Sequence, residues 1–480
     1  MKKTLVLMSV GAAFLLKAQD VSTLQNTVDI YSNTQKIGSA KFNSMAGSNG
    51  ALGGDATSLL TNPAGLGVAI SGDASVTLGI TSNKNTSTIN GSSFDYNINK
   101  ADISNASGII SIPLMTETPW KFVNIGVNFS NRSIENYVET PGNTNVIIQK
   151  NLVDPLGNPL VGNLTYMGHA YDRTGYQSVL NFGVGANYNN TLYFGAGLNF
   201  HNSDVTNFDT AAFLLDADNS INNFSKQYTP FQEQSNGFSA SLGVIGKVNN
   251  QLRLGFALET PTWWQLDRVY SEYYEQTDGI YYSDFQEERN LRTPMRATIS
   301  GAFVPNKNFS LNVDYTLGLT KPKYSVDGPA ETELNNYFTD NYKNTSEVRI
   351  GAEYRIKAFR LRGGYAFTSS PFDSTNISAF TNSGSVANTS YDNLILGSRN
   401  TIGIGVGYNF SSFFIDASYQ NVNSKYNNPF LTGYVTPNPD YAYFSTGYHS
   451  GDYDVTSDNA VVSEVKNNKN NFFLTFGWKF

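Results

Sequence analysis

The sequence contains no cysteine, only three histidines, and few charged residues, which make up 15% of the chain. Disulfide frameworks, thiolate metal sites and cysteine nucleophiles are therefore excluded. The histidines at positions 169, 201 and 449 are far apart and lack metal-ligand spacing, so no zinc or haem site is predicted. No nucleophile elbow or phosphate-binding loop occurs. We therefore predict no enzyme activity and no cofactor, although an esterase or protease site assembled from distant strands stays open as an alternative.

Long apolar runs are also scarce, and the one near the N-terminus is too short to span a bilayer. It extends from Leu5 to Leu16, after the cationic start Met1-Lys2-Lys3 and before polar Gln19. This layout predicts a secretory signal peptide over residues 1–18, cleaved after Ala18, rather than a buried N-terminal helix. The protein would then be exported through the periplasm of a Gram-negative bacterium.

The charge balance is acidic. The net charge is −7, and loss of Lys2, Lys3 and Lys17 with the signal peptide leaves −10. A nucleic acid is therefore not expected as a partner.

Tyrosine, phenylalanine, glycine and asparagine are abundant, with 29 Tyr, 31 Phe and 42 Gly. Many segments alternate apolar and polar residues, which is the period of a β-strand. Fourteen such segments are predicted, at 74–81, 104–113, 121–131, 176–188, 191–201, 237–248, 251–260, 292–304, 308–319, 346–356, 359–367, 401–410, 413–421 and 471–480.

The connections between these segments alternate between short turns and long polar loops. Short turns at one rim and long loops at the other are typical of outer-membrane barrels. We therefore predict an all-β fold, a 14-stranded antiparallel transmembrane β-barrel of the outer membrane, in contact with its lipids. The last strand carries alternating apolar residues up to Phe480. It is predicted to be recognised by the outer-membrane insertion machinery, the alternative being the edge strand of a secreted sandwich.

Strand alternation places the charges of the predicted strands 7–11 in the lumen, because a charge facing lipid is costly. One interpretation is a set of internal ion pairs that holds a plug. The other is that some arginines bind the carboxylate of an amphipathic ligand. The candidates are Arg253, Arg292, Arg296, Arg349, Arg355, Arg360 and Arg362.

Two adjacent tryptophans, Trp263 and Trp264, precede an aromatic stretch in a predicted long loop. They fit either an interfacial aromatic girdle or a surface that collects apolar ligand.

The segment from Gly38 to Gly67 is rich in Gly, Ala and Ser and shows no strand pattern. We predict that residues 19–72 form a small, partly helical hatch inside the lumen, followed by the barrel over 73–480. Inward glycine stripes at 183/185, 195/197 and 403/405/407 are expected to make room for it.

The hatch segment resembles the long-chain fatty-acid transporter family of outer-membrane proteins (FadL/TodX-like). The resemblance rests on Gly38-Ser-Ala-Lys-Phe42, Gly50-Ala-Leu-Gly-Gly-Asp55 and, above all, the hatch motif Asn62, Pro63, Ala64, Gly65. It implies passive uptake of hydrophobic molecules, most of all long-chain fatty acids, through a channel gated by the hatch. It also implies a lateral opening at a kink in an early strand, for which Gly126 is the candidate.

Two other functions stay open at this point. One is a structural or adhesive barrel whose long loops bind host or matrix. The other is a general porin, in which the segment before the first strand would not fill the lumen.

Overall fold

The computed structural model describes residues 21–32, 35–115, 117–153, 159–216, 219–226, 228–276, 279–325, 329–430, 448–449, 454–455, 457 and 459–480. Residues 1–18 lie outside this set, so the signal peptide stays a prediction. Fourteen strands form the wall: β1 (Asp73–Ile89), β2 (Ser92–Pro113), β3 (Trp120–Ser133), β4 (Pro159–Tyr188), β5 (Leu192–Leu215), β6 (Phe231–Lys247), β7 (Leu252–Glu259), β8 (Arg296–Asn306), β9 (Phe309–Gly318), β10 (Ser346–Ile356), β11 (Phe359–Thr368), β12 (Arg399–Asn409), β13 (Phe413–Phe430) and β14 (Val461–Lys479).

The wall is a closed antiparallel ring. Each strand pairs with the next along the chain, and β14 pairs back with β1 from Asp73 opposite Lys479 to Thr88 opposite Glu464. Closure satisfies the backbone of every wall strand without water, which a bilayer requires. The predicted 14-stranded antiparallel barrel is confirmed.

Side chains on the wall alternate as predicted. On β1, Val76, Leu78 and Ile80 are 39–54% exposed, whereas Ser75 and Thr77 are at most 7% exposed. The same alternation runs along β14, where the apolar residues at 472, 474, 476 and 478 point outward. An outward apolar band on a closed barrel is the surface that faces lipid. No helix in the described part of the chain is long and apolar enough to cross a membrane.

Residues 21–32 and 35–72, which we call the hatch, lie inside the ring. They contain helix α1 (Val21–Asn26), which continues as a π-helix (Thr27–Ser32), helix α2 (Ala40–Ser44) and two 3₁₀ helices (Ala56–Leu60 and Pro63–Val68). Side chains cap the last three helices: those of Ser39, Asp55 and Asn62 accept hydrogen bonds from the backbone N–H groups of the first turns. The predicted partly helical hatch inside the lumen is confirmed.

The connections at the long-loop end are more ordered than the sequence predicts. They hold helix α3 (Pro329–Asn341) and short strands at Asn136–Pro141, Ile147–Val153, Ser220–Lys226, Trp263–Gln276, Gly279–Arg292, Lys323–Ser325, Thr375–Phe380, Val386–Tyr391, Tyr448–His449 and Asp454–Val455.

Two predicted loops are largely strand. Segment 82–103 continues β1 and β2, which meet at Asn90-Gly91, both with positive φ. Segment 261–291 is mostly a hairpin of paired strands. Beyond the bilayer neither face of a strand has to meet lipid, so the alternation of apolar and polar residues that marks the wall strands is not required there.

The long loops close over the top of the hatch. An apolar cluster joins Leu24 of α1 and Val28 of the π-helix to Trp264, to Tyr337 and Phe338 of α3, and to further loop residues. We call this cluster, together with its loops, the loop cap. The lumen is therefore covered by the loop cap at one end and by the rest of the hatch at the short-turn end.

Candidate functional site

The predicted hatch motif is fixed to the wall by Asn62. Its Oδ1 caps the N–H of Ala64 at 3.1 Å, and its Nδ2 donates to the carbonyl of Gly50 at 2.8 Å and to that of Val244 at 3.3 Å. Pro63 occupies the first helical position, where its missing N–H costs nothing. One amide side chain thus joins two hatch segments to β6.

Inward glycines let the hatch lie directly on the wall. A methyl group on Gly403 would meet the carbonyl oxygen of Asn43 at 2.6 Å, and one on Gly195 would overlap the backbone of Pro63. The glycines at 183, 185 and 405 contact hatch atoms in the same way. Gly407 differs, because it faces Asp416 and Arg362 rather than the hatch.

A cavity lies between the hatch and the wall. Its hatch side contains Ile37, Leu59 and Leu60, and its wall side includes Val179 and Ala257. Two buried or half-buried polar atoms at the cavity, Asn131 Oδ1 and Ser241 Oγ, have no hydrogen-bond partner among the described residues. An apolar floor with orphaned polar atoms at its edge suits an amphipathic ligand.

Charged groups stand at the edge of this cavity. Lys36 of the hatch donates to Glu259 of β7 at 3.1 Å and to the carbonyl of Leu60 at 2.6 Å. Arg132 of β3 donates to Gln177 at 2.9 Å.

A second cavity shares Gln35 and Arg132 with the first. It adds Arg399, Lys469 and Asp29. The Asp29 carboxylate already pairs with Arg173 at 2.5 Å. Burial opposes ionisation of Asp29, but Arg173, Lys469 and Arg132 together hold the pKa of this carboxyl well below its usual range.

The two cavities therefore carry more positive than negative charge. Among the described residues that line them, Lys36, Arg132, Arg399 and Lys469 are cationic, against Asp29 and Glu259. Both carboxylates are already engaged in ion pairs. An anionic group would offset the excess charge in this enclosed space.

The sequence did not single out Lys36, Arg132, Arg399 or Lys469. The last three lie one or two residues beyond the predicted ends of strands 3, 12 and 14. Each is two positions away from a residue predicted to face the lumen, Ser130, Thr401 or Asn471. Extending the alternation pattern by two residues would therefore have predicted that they face the lumen. Nothing in the sequence places Lys36 at a cavity.

Three predicted arginines lie near the cavities or the hatch. Arg253 donates to the carbonyl of Leu52 at 3.1 Å, which holds the hatch. Arg349 pairs with Glu347. Arg296 interacts electrostatically with Glu259 and Lys36.

Three other predicted arginines stand apart, at the short-turn end. Arg355, Arg360 and Arg362 line a separate cavity, which the hatch residues Lys41, Gly54 and Asp55 also line. Arg362 bridges Glu353 at 2.6 Å and Asp416 at 2.7 Å. These arginines fit the interpretation of an internal ion-pair wall.

The expectation that Arg292 faces the lumen is corrected. It ends the loop strand Gly279–Arg292, opposite Trp263, and its side chain is exposed. β8 begins four residues later, because the loop hairpin takes up the residues that the alternation pattern assigned to the wall.

The two predicted tryptophans separate. Trp263 is 50% exposed and stacks on Phe238, whereas Trp264 is 2% exposed and belongs to the loop cap. Adjacent residues of a strand point to opposite faces. Trp263 thus fits the girdle interpretation, and Trp264 is part of the apolar interior.

No register break marks Gly126, the predicted lateral-opening residue. β3 stays in register with β2 and β4 across it. A methyl group there would meet the side chain of Leu66 at 2.6 Å, so the residue gives space to the hatch. The pairing of β1 with β2 does contain a register break, between Thr77 and Leu78 and opposite Ser104.

The described residues contain no group of three His, Asp or Glu side chains that could hold a metal ion. His169 stacks on Phe430 at 4.2 Å and His201 contacts Ser239 at 3.1 Å.

A closed barrel with an apolar outer band and a hatch in its lumen defines a plugged transmembrane β-barrel of the outer-membrane type. Solved structures of hydrophobic-compound transporters share this fold. A Pseudomonas aeruginosa FadL homologue is 13% identical over 92% of this chain and 98% of its own, with a TM-score of 0.56. The toluene transporter TodX of P. putida is 11% identical over 92% of this chain and 98% of its own, with a TM-score of 0.54.

The Ralstonia pickettii toluene transporter TbuX is 14% identical over 93% of this chain and 99% of its own, with a TM-score of 0.51. No protein-family model matches the sequence, and no curated protein does either. At these identities the likeness establishes the fold. The resemblance that the hatch motif indicated is thereby confirmed as a FadL-like barrel and hatch.

Proposed function

We propose that this protein is an outer-membrane channel for the passive uptake of hydrophobic molecules, gated by the hatch. The observation that carries the proposal is the cavity between hatch and wall, with its apolar residues Ile37, Leu59 and Leu60 beside a surplus of cations. The long-loop end faces outward and the short-turn end faces the periplasm, as in barrels of this type. A general porin is disfavoured, because the hatch and the loop cap cover both ends of the lumen.

We further propose that the ligands are amphipathic acids of the long-chain fatty-acid kind. Two of the structural neighbours are titled toluene transporters, and a neutral hydrocarbon needs no charge in its site. Here Arg132, Arg399 and Lys469 surround the second cavity, which joins the apolar one at Gln35. A carboxylate held by arginine forms strong, charge-assisted hydrogen bonds.

Whole-cell uptake tests both proposals. The protein is expressed in cells that lack their own fatty-acid channel, and cells with the empty vector serve as the control. The uptake of labelled oleate and of labelled toluene is measured in both. We expect oleate uptake well above the control. Equal uptake with and without the protein rejects the channel function and leaves the adhesive barrel as the alternative. A preference for toluene rejects only the proposal that the ligand is an acid.

A matched pair of arginine variants locates the site. Arg132→Gln removes a cation of the lumenal cavities, and Arg355→Gln removes one at the short-turn end. A lost charge-assisted hydrogen bond costs about 1.5–3 kcal/mol. The apparent affinity for oleate is therefore expected to fall roughly tenfold or more in the first variant, with little change in the second.

A further inference from the structure

Several polar contacts between the hatch and the wall are made by residues that do not line the apolar cavity. The Asp314 carboxylate accepts from the N–H groups of Asn49 and Gly50 at 3.0–3.2 Å. The N–H of Ala40 donates to Thr475 at 2.8 Å. None of these residues lines that cavity, so a ligand there does not reach them.

The ion pair between Lys36 and Glu259 is different, because both partners line that cavity. Their side chains are 20% and 26% exposed. Among the described residues, two ion pairs join the hatch to the wall: this one and Asp29–Arg173. It lies directly above Leu60, whose carbonyl Lys36 also contacts at 2.6 Å.

The ammonium of Lys36 has spare bonding capacity. It carries three donors, and the described residues supply two acceptors, Glu259 and Leu60. Burial lowers the pKa of Lys36 although Glu259 acts in the opposite direction, and Arg349 and Arg296 add to the lowering. The charge of Lys36 is therefore incompletely stabilised, and a further anion at this point would improve it.

Glu259 would keep a cation if it lost Lys36. Arg296 of β8 interacts electrostatically with Glu259 and lies on the strand that pairs with β7, with Arg296 directly opposite Glu259. Lys36 can thus exchange its partner without leaving an unpaired carboxylate in the wall.

We propose that Lys36 makes the hatch sensitive to the head group of the ligand by ion-pair exchange. The carboxylate of an amphipathic acid in the cavity forms an ion pair with Lys36, and Glu259 then pairs with Arg296. The hatch thereby loses its ion pair to β7. This inference rests on the proposed function and assigns to Lys36 the preference for an acid over a neutral analogue.

The test compares uptake of oleate with uptake of oleyl alcohol, which has the same tail and no charge. In the unaltered protein we expect oleate to be taken up roughly tenfold faster, as one additional ionic hydrogen bond implies. Lys36→Met should lower the ratio of the oleate rate to the oleyl alcohol rate, because the link to Glu259 is gone and the head group has lost Lys36 as an ion-pair partner. Lys36→Arg should restore the preference.

Glu259→Gln separates exchange from simple fastening. It also breaks the link but leaves Lys36 for the ligand, so we expect both rates to rise while oleate stays preferred. If Lys36→Met, like Glu259→Gln, changes the uptake rates of oleate and oleyl alcohol by the same factor, the ion pair only fastens the hatch and the inference is wrong. Uptake of neither ligand by the unaltered protein rejects the proposed function itself.

Folding of each variant is checked by its heat-dependent mobility on gels, which reports an intact barrel. Should Lys36→Met fail to fold, Glu259→Gln still decides. Slower uptake of both ligands in this variant, or loss of its oleate preference, contradicts exchange.

Discussion

Tyr31 of the hatch meets Trp264 of the loop hairpin edge to face, with ring centroids 4.9 Å apart. The hydroxyl of Tyr31 donates to Glu233 at 2.6 Å, and Glu233 pairs with Arg268 at 2.7 Å. The first segment of the hatch is therefore joined to the loop cap by an aromatic contact and by a hydrogen bond to a buried ion pair. These contacts predict that any movement of residues 21–32 is coupled to the loop cap.

Trp264→Ala is expected to loosen the loop cap, because it empties a buried site of aromatic size. Such truncations cost about 3–5 kcal/mol. Amide hydrogen exchange of residues 21–32 should accelerate accordingly. Trp263→Ala is the matched control, since that neighbour is half exposed. Equal exchange rates in the two variants would contradict the assignment of Trp264 to the cap.

Asp314→Ala is expected to unseat the base of the hatch. The Asp314 side chain is fully buried and accepts from two hatch amides, and each buried N–H left without a partner costs about 1–3 kcal/mol. Ion conductance in planar bilayers should rise from near silence towards that of a variant lacking residues 20–60. Asp340→Ala, at an exposed site on α3, serves as the control. A silent trace in the deletion variant would mean that the hatch does not block the pore.

Gly364→Ala is expected to displace the hatch from the barrel wall. The added methyl group would overlap the backbone of Met45, which cannot turn aside as a side chain can. Overpacking of this kind costs about 1–3 kcal/mol. Gly363→Ala is the matched control, because the nearest atom to its methyl group, the carbonyl oxygen of Gly403, is 3.9 Å away. We expect higher conductance and faster exchange of hatch amides in the first variant, and neither in the second.

The ion pair between Lys41 and Asp55, at 2.7 Å, predicts how the hatch responds to pH. Burial opposes ionisation of Asp55, but Lys41 outweighs it and lowers the pKa of Asp55 from 3.8. A carboxyl with a lowered pKa stabilises the folded state above its usual pKa, and this contribution is lost as the pH falls through the lowered value. The contribution of this pair should therefore be the same at pH 7 and pH 5 and disappear only below 3.8.

The measurement is the exchange rate of hatch amides as a function of pH, corrected for intrinsic exchange. Asp55→Asn should remove the part of the acid dependence that belongs to this pair, and should already show faster exchange at pH 7. A variant that follows the unaltered protein at every pH would contradict a stabilising role for the pair.

The sequence alone determined the barrel, because a wall between lipid and a polar lumen requires side chains to alternate at every second residue. Val76, Leu78 and Ile80 show this on β1, as do the inward arginines of β10 and β11. It also determined the presence of a hatch, because the stretch around Asn62 lacks that alternation and the inward glycines leave room for it.

The tertiary structure alone decided where the site lies. Alternation predicts which side of the wall a residue faces, but it does not predict which residues it meets across the lumen. The sequence therefore could not distinguish Arg132, which lines the cavities, from Arg362, which belongs to the ion-pair wall. Lys36 and Glu259 are 223 residues apart and meet only because the ring closes around a threaded hatch. Loop hairpins likewise moved Arg292 out of the wall and buried Trp264, since packing within the loop cap leaves no periodic pattern in the sequence.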